Sequence, residues 1–299
     1  MAVIAPGKLL AAMKSTGKTF MRRRHLIEIH EQSWCPVAVR DGATDCLRLI
    51  ALIGRQFDGA LPPLRRALAM TGAERIVDLG SGGGGPWLAL RARLHTAAGA
   101  PAPIILTDLF PNRQALQAAR AQAPAQIDFV EHAVDATNVP VELPGLRTLF
   151  TTFHHFDPPT AQAILQDAVD ARQGIAIFEQ TQRTRAAQLF MLILAPIALL
   201  SAPLLRPFCW SRLFWTYVIP AIPAVLVFDG IVSCWRTYTE PDLRGMIARL
   251  TTGEAHGSAY HWEMGHARTL LSPLGISYLI GYPADALAAI ETGQEMARG

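Results

Sequence analysis

Apolar positions fall into three textures along the chain. Residues 44–70 place Leu47, Leu49, Ile50, Leu52 and Ile53 at helical spacing, and Pro62 and Pro63 separate two predicted helices there. After Gly72 short apolar runs alternate with helical segments. The runs predict strands at 75–79, 103–107, 127–130, 147–153 and 174–178, with helices at 86–94, 112–121 and 159–171. This βαβα rhythm argues for a parallel sheet covered by helices on both faces. The third texture is almost uncharged: between residues 186 and 228 only Arg206 and Arg212 carry charge. Beyond it a helix over 241–250 precedes strands at 261–267 and 276–280, a pair suited to finish the sheet in antiparallel fashion.

Composition sharpens this pattern. Of 299 residues 51% are hydrophobic and 17% charged, against about 25% charged in an ordinary soluble domain. Intrinsic disorder, a fibrous repeat and a supercharged nucleic-acid binder are thereby excluded. Lys8, Lys14, Lys18, Arg22, Arg23 and Arg24 precede the first acid, Glu28, and the remainder of the chain has a net charge of −3. The remainder offers no basic stripe for phosphates, so no nucleic-acid partner is expected. The basic tail reads as a solvated arm or as an attraction to anionic headgroups. Its lysines interrupt any secretory apolar core. Cys35, Cys46, Cys209 and Cys234 lack metal spacing and read as reduced, which makes the cytoplasm the expected location and leaves no metal site expected.

The strongest chemical signal is the stretch Ile76-Val77-Asp78-Leu79-Gly80-Ser81-Gly82-Gly83-Gly84-Gly85-Pro86. An apolar strand runs into glycines, and Pro86 opens a helix where its missing N–H costs little. Such a crevice at the carboxyl end of a first strand is where open α/β sheets bind ligands. Two cofactor readings fit. Gly80-x-Gly82-x-x-Gly85 satisfies the dinucleotide fingerprint of an NAD(P)-dependent oxidoreductase. Asp78, however, stands two residues before the first glycine, where a carboxylate suits an ammonium and repels a diphosphate.

The pattern Asp78-x-Gly80-x-Gly82-x-Gly84 resembles motif I of the class I S-adenosylmethionine-dependent methyltransferases. The resemblance covers residues 75–178 well and 261–281 loosely; residues 1–70 and 182–240 lie outside it. It implies S-adenosyl-L-methionine as cofactor. Asp78 would take the amino end and Gly80, Ser81, Gly82 and Gly84 would form the backbone cradle. Asp108, ending the second strand, would take the ribose, and Asp135 with Ala136 the adenine. Thr152-Phe153-His154-His155-Phe156 resembles the end of the fourth strand in many small-molecule members of that family.

Methyl transfer needs an aligned nucleophile and, for a protonated acceptor, a base. His154, His155 and Glu179 are the candidate catalytic residues. Strand neighbours point to opposite faces, so a continuing strand would send at most one histidine into the site. Trp34-Cys35-Pro36 and Arg40-Asp41 precede the domain as a candidate lid with an aromatic wall.

The run 186–205 is long enough for a hydrocarbon core and 213–228 is short for one. Four prolines and the arginines at the tip oppose spanning. Spanning, lying in one leaflet, and a buried insertion that caps the site or forms a dimer contact all remain open. The first two make a small hydrophobic or lipid-like acceptor at the inner membrane face the expected substrate.

The sequence thus predicts an α/β fold: a Rossmann-like, seven-stranded, mostly parallel sheet of the class I methyltransferase type. A basic tail and helical lid would occupy 1–70, the cofactor core 71–181, the apolar insertion 182–240, and a helix and strand pair 241–299. The rival functions are the oxidoreductase and a catalytically silent, membrane-attached scaffold.

Overall fold

The structure is a computed structural model describing residues 21–53, 55–206, 208–251, 260–268 and 274–284. Lys8, Lys14 and Lys18, and with them most of the basic tail, lie outside the described residues.

Seven strands form one sheet in the order β3-β2-β1-β4-β5-β7-β6. They are β1 (Ile76–Leu79), β2 (Ile104–Thr107), β3 (Ile127–Phe129), β4 (Leu146–Phe150), β5 (Ile175–Glu179), β6 (Tyr260–Ala267) and β7 (Ile276–Pro283). The first five pair in parallel. β7 runs antiparallel to β5, and β6 to β7. The sheet is therefore mostly parallel with one antiparallel hairpin, the class I methyltransferase arrangement expected from the motifs. The order reverses at β1, so the loops after β1 and β4 flank the crevice where such sheets take ligands.

The inner strands are buried on both faces, β1, β4 and β5 along their whole length, as parallel strands under two helical layers must be. One core combines Leu64, Leu68, Trp87, Leu90 and Leu116 with Ile76, Ile104 and Phe178. The opposite core packs Ile164, Leu165 and Met246 on Val77, Leu149 and Ile177.

Helices are α1 (Val37–Ile53), α2 (Leu61–Thr71), α3 (Trp87–Leu90), α4 (Arg113–Gln122), α5 (Pro158–Asp170), α6 (Arg185–Met191), α7 (Leu194–Ser201), α8 (Trp210–Leu213), α9 (Ala221–Arg236) and α10 (Glu240–Ile247). Pro62 and Pro63 lie in the first turn of α2 rather than between helices, a position where a missing N–H costs nothing. The helix expected over 86–94 is only the turn α3 followed by a 3-10 turn, Arg91–Arg93. Between residues 185 and 236 the helices α6–α9 and a π-helical turn, Phe214–Val218, follow one another across short turns, and their inner side forms a third core with α1. Met191, Leu194, Ala198, Ile222 and Leu226 meet Cys35, Val39, Ala43 and Cys46 there. The apolar insertion therefore packs on α1.

Candidate active site

The loop between β1 and α3 is held from beneath. Asp78, 2% exposed, accepts hydrogen bonds from Thr148 Oγ1 at Oδ1 and from Ser81 Oγ at Oδ2, each 2.7 Å. Burial pushes its pKa up to about 6 against those hydrogen bonds, and nearby Asp108 pushes the same way. Gly80 sits at φ +67, and a Cβ there would meet Thr152 Cγ2 at 2.8 Å. Glycine is the residue that turns this corner against the segment following β4. A Cβ on Gly83 would lie 2.4 Å from the Arg48 guanidinium, which reaches over from α1 and donates to the Gly83 carbonyl at 3.4 Å. Arg48 of α1 thus brings a positive charge to the loop that also holds the buried Asp78 carboxylate.

The acids after β2 and β3 are less enclosed, Asp108 half-buried and Asp135 exposed. Asp108, after β2, accepts the Gly82 N–H at 2.7 Å and the Phe110 N–H at 2.8 Å. Phe110 beside it is 84% exposed. Asp135, after β3, accepts from the Thr137 N–H and hydroxyl, each at 2.8 Å, next to the buried Ala136. Asp135 touches none of the other candidate residues by hydrogen bond among those described.

The fourth strand ends earlier than residue 153. It stops at Phe150, and Thr151 adopts φ +52, an outlier for a β-branched residue. Phe153–His155 then forms a 3-10 turn. Strand alternation no longer applies, so both histidines come together, their rings 4.2 Å apart. His154 is buried, and its Nδ1 lies 2.7 Å from Glu179 Oε2 while Glu179 Oε1 accepts the His154 backbone N–H. Its Nε2 faces Glu28 Oε1 at 3.9 Å. Burial opposes a charge on His154, but the carboxylates of Glu179 and Glu28 outweigh it and raise its pKa above 6.5. Burial and the neighbouring His154 lower that of His155, whose Nδ1 bonds to Glu31.

Sequence reasoning missed the groups that surround this pair. Arg236, near the end of α9, reaches Glu28 at 3.2 Å and Glu31 at 3.0 Å. Burial works against ionisation of Glu31, but His155 and Arg236 pull its pKa down to about 2. Ser233 donates to Glu28, and Asp229 accepts the backbone N–H groups of Ile29 and His30. The only sequence signal was polar residues closing an apolar run, Asp229, Ser233 and Arg236. Glu28, His154 and His155 also bring one possible metal-ligand atom each within 4.8 Å of one another, although the guanidinium of Arg236 already supplies a positive charge at Glu28. Trp34 is 64% exposed, whereas Arg40 donates to the His30 and Gln32 carbonyls and ties down the segment carrying Glu31.

No protein-family model and no curated protein matches the sequence. Solved structures with a similar chain path include the pyocyanin biosynthetic protein PhzM, 17% identical, with a TM-score of 0.42 over 75% of this chain. This chain spans only 54% of that protein's length. The plantazolicin methyltransferase BamL, solved with SAH, is 13% identical, with a TM-score of 0.43 over 82% of this chain and 97% of its own. Magnesium protoporphyrin IX methyltransferase from Synechocystis PCC 6803, also with bound SAH, is 12% identical, with a TM-score of 0.42 over 85% and 90%. These superpositions are too loose for the role of any of those proteins to be carried over.

Proposed function

We propose that this protein is an S-adenosyl-L-methionine-dependent methyltransferase acting on a small hydrophobic acceptor. The observation that carries the proposal is the glycine loop, with the buried Asp78 carboxylate beneath it and Asp108 at its edge. The fit is specific in charge. An anion beneath the loop favours the cofactor's ammonium, and Arg48 above it favours its carboxylate. The rival diphosphate would meet Asp78 and would find little helix dipole to oppose it, because α3 is a single turn. Gly80, Ser81, Gly82 and Gly84 would line the amino-acid end, Asp108 would bind the ribose diol, and Asp135 with Ala136 would meet the adenine.

When bound, the cofactor supplies an electrophilic sulfonium methyl. The chain's own residues must hold the acceptor in line, exclude water and take its proton. His154 is suited to the last task. Glu179 fixes its Nδ1–H, so Nε2 carries the lone pair, and a pKa above 6.5 makes it a better base than a free imidazole. Glu28 faces that same Nε2 and stabilises the imidazolium that forms. Glu179 is then a positioning residue. The apolar third core between lid and insertion favours an apolar acceptor. A silent scaffold would have no use for a buried His–Glu pair beside an intact loop.

The test is a comparison of lipids and small metabolites from cells carrying the wild-type protein, His154→Ala or no protein. A species heavier by one methylene should appear only with the wild type. If His154→Ala restores it in full, His154 is not the base. If no such species differs between wild type and deletion, the methyl-transfer proposal fails.

A further inference from the structure

We infer that the outer face of residues 185–228 seats the protein on the surface of an anionic lipid bilayer. Of the 22 large hydrophobic side chains that are exposed among the described residues, 13 lie in this segment. They include Leu189 (68%), Leu200 (75%), Leu204 (72%), Trp210 (77%) and Val218 (68%). So many exposed large apolar side chains in one segment mark an interaction surface rather than scattered surface residues. α7 shows its origin: Leu194 and Ala198 fill the core shared with the lid, while Leu199 and Leu200 on the other side meet solvent. A helix apolar on all sides is suited to lie between a protein core and a second apolar medium.

Charge and ring chemistry favour lipid over a second copy as the occupant. No acid occurs between Arg185 and Phe228. Arg212 is buried and paired with Asp45, so the exposed charges are Arg185 and Arg206, both positive. Trp210 and Tyr217 are exposed on the same segment, the residue types that settle at headgroup level. Docking is superficial. Among the described residues no single helix is long and apolar enough to cross a membrane, and the pair Trp210–Val218 and Ala221–Arg236 is bent by 73°. The second arm ends in Asp229, Ser233 and Arg236, which are bound to the polar network of the site.

The bilayer would then touch the insertion whose inner side packs on the lid. An apolar acceptor would pass from the leaflet to the site without crossing water. That route rests on the methyl-transfer proposal, whereas the docking does not.

The test is flotation of the full-length protein with vesicles of phosphatidylcholine alone or mixed with phosphatidylglycerol. The wild type should float with the mixed vesicles and more weakly with the neutral ones. Leu200→Glu combined with Leu204→Glu should stay at the bottom of the gradient while keeping the far-UV circular dichroism and thermal transition of the wild type, which shows that it folds. Arg206→Gln should weaken binding to the anionic vesicles about five-fold, the equivalent of about 1 kcal/mol for one arginine, and leave the neutral ones unchanged. The inference is overturned if the wild type does not float, or if it is a dimer by light scattering that the double variant dissociates. Flotation without any binding of S-adenosylhomocysteine would sink the methyl-transfer proposal and leave the docking intact.

Discussion

His154 and Glu179 meet twice, through the imidazole Nδ1 at 2.7 Å and the backbone N–H at 3.0 Å. One carboxylate therefore fixes both the ring and the turn that carries it. The pair joins the ends of β4 and β5, adjacent strands of the sheet, and its geometry leads to the first prediction.

Turnover should rise with pH along a limb lying above the ordinary imidazole range. Below its raised pKa His154 is protonated and cannot accept a proton; above it the ring is neutral and competent. Glu179→Gln removes the main stabiliser of the imidazolium, so the limb should move to lower pH while kcat falls about 100-fold or more. A pH profile of kcat for both forms checks this, and an unmoved limb would assign the titration to another group.

Cofactor binding should weaken as pH falls through about 6, because Asp78 takes up a proton there and the ammonium loses its counter-charge. Asp78→Asn should bind S-adenosylhomocysteine weakly at every pH and show no such transition. Calorimetric titrations at pH 5 and pH 8 give the comparison.

Arg48 sits over Gly83, at the amino-acid end of the loop. Arg48→Gln should weaken S-adenosylhomocysteine by about 10-fold, the scale of a hydrogen bond to a charged group. Binding of 5′-methylthioadenosine, which lacks the carboxylate, should be unchanged. Equal losses for the two ligands would mean that Arg48 only packs the lid.

Arg236→Met should leave Glu28, 1% exposed, without its guanidinium partner, with only the Ser233 hydroxyl and nearby imidazoles beside it. Breaking a buried pair in this way costs about 3–5 kcal/mol. Chemical denaturation should show that loss, and Glu28→Gln added to Arg236→Met should recover part of it.

The sheet was legible because buried parallel strands leave apolar runs and the glycine loop punctuates them. The end of β4 was not. Thr151, Thr152 and Phe153 all have good strand propensity, and only the left-handed turn at Thr151 reveals that the ladder has stopped. That turn also changes the site, because it lets His154 and His155 act as neighbours. The short α3 was hidden for a similar reason: residues 86–94 have helical spacing, but the chain tightens into a 3-10 turn at Arg91. The polar network around the histidines could not be read from local pattern at all. Its contacts join Glu28 and Glu31 to residues some 200 positions away, and neither periodicity nor motif spacing reports on such distances. The candidate cofactor residues, by contrast, lie within one βαβα unit, and the resemblance named them.

The most direct test of the central claim is a calorimetric titration of the purified protein with S-adenosylhomocysteine and, separately, with NADH. One site per chain for S-adenosylhomocysteine, abolished by Asp108→Ala, with no heat from NADH, is the predicted result. Binding of NADH without binding of S-adenosylhomocysteine would contradict the account and return the loop to the dinucleotide class.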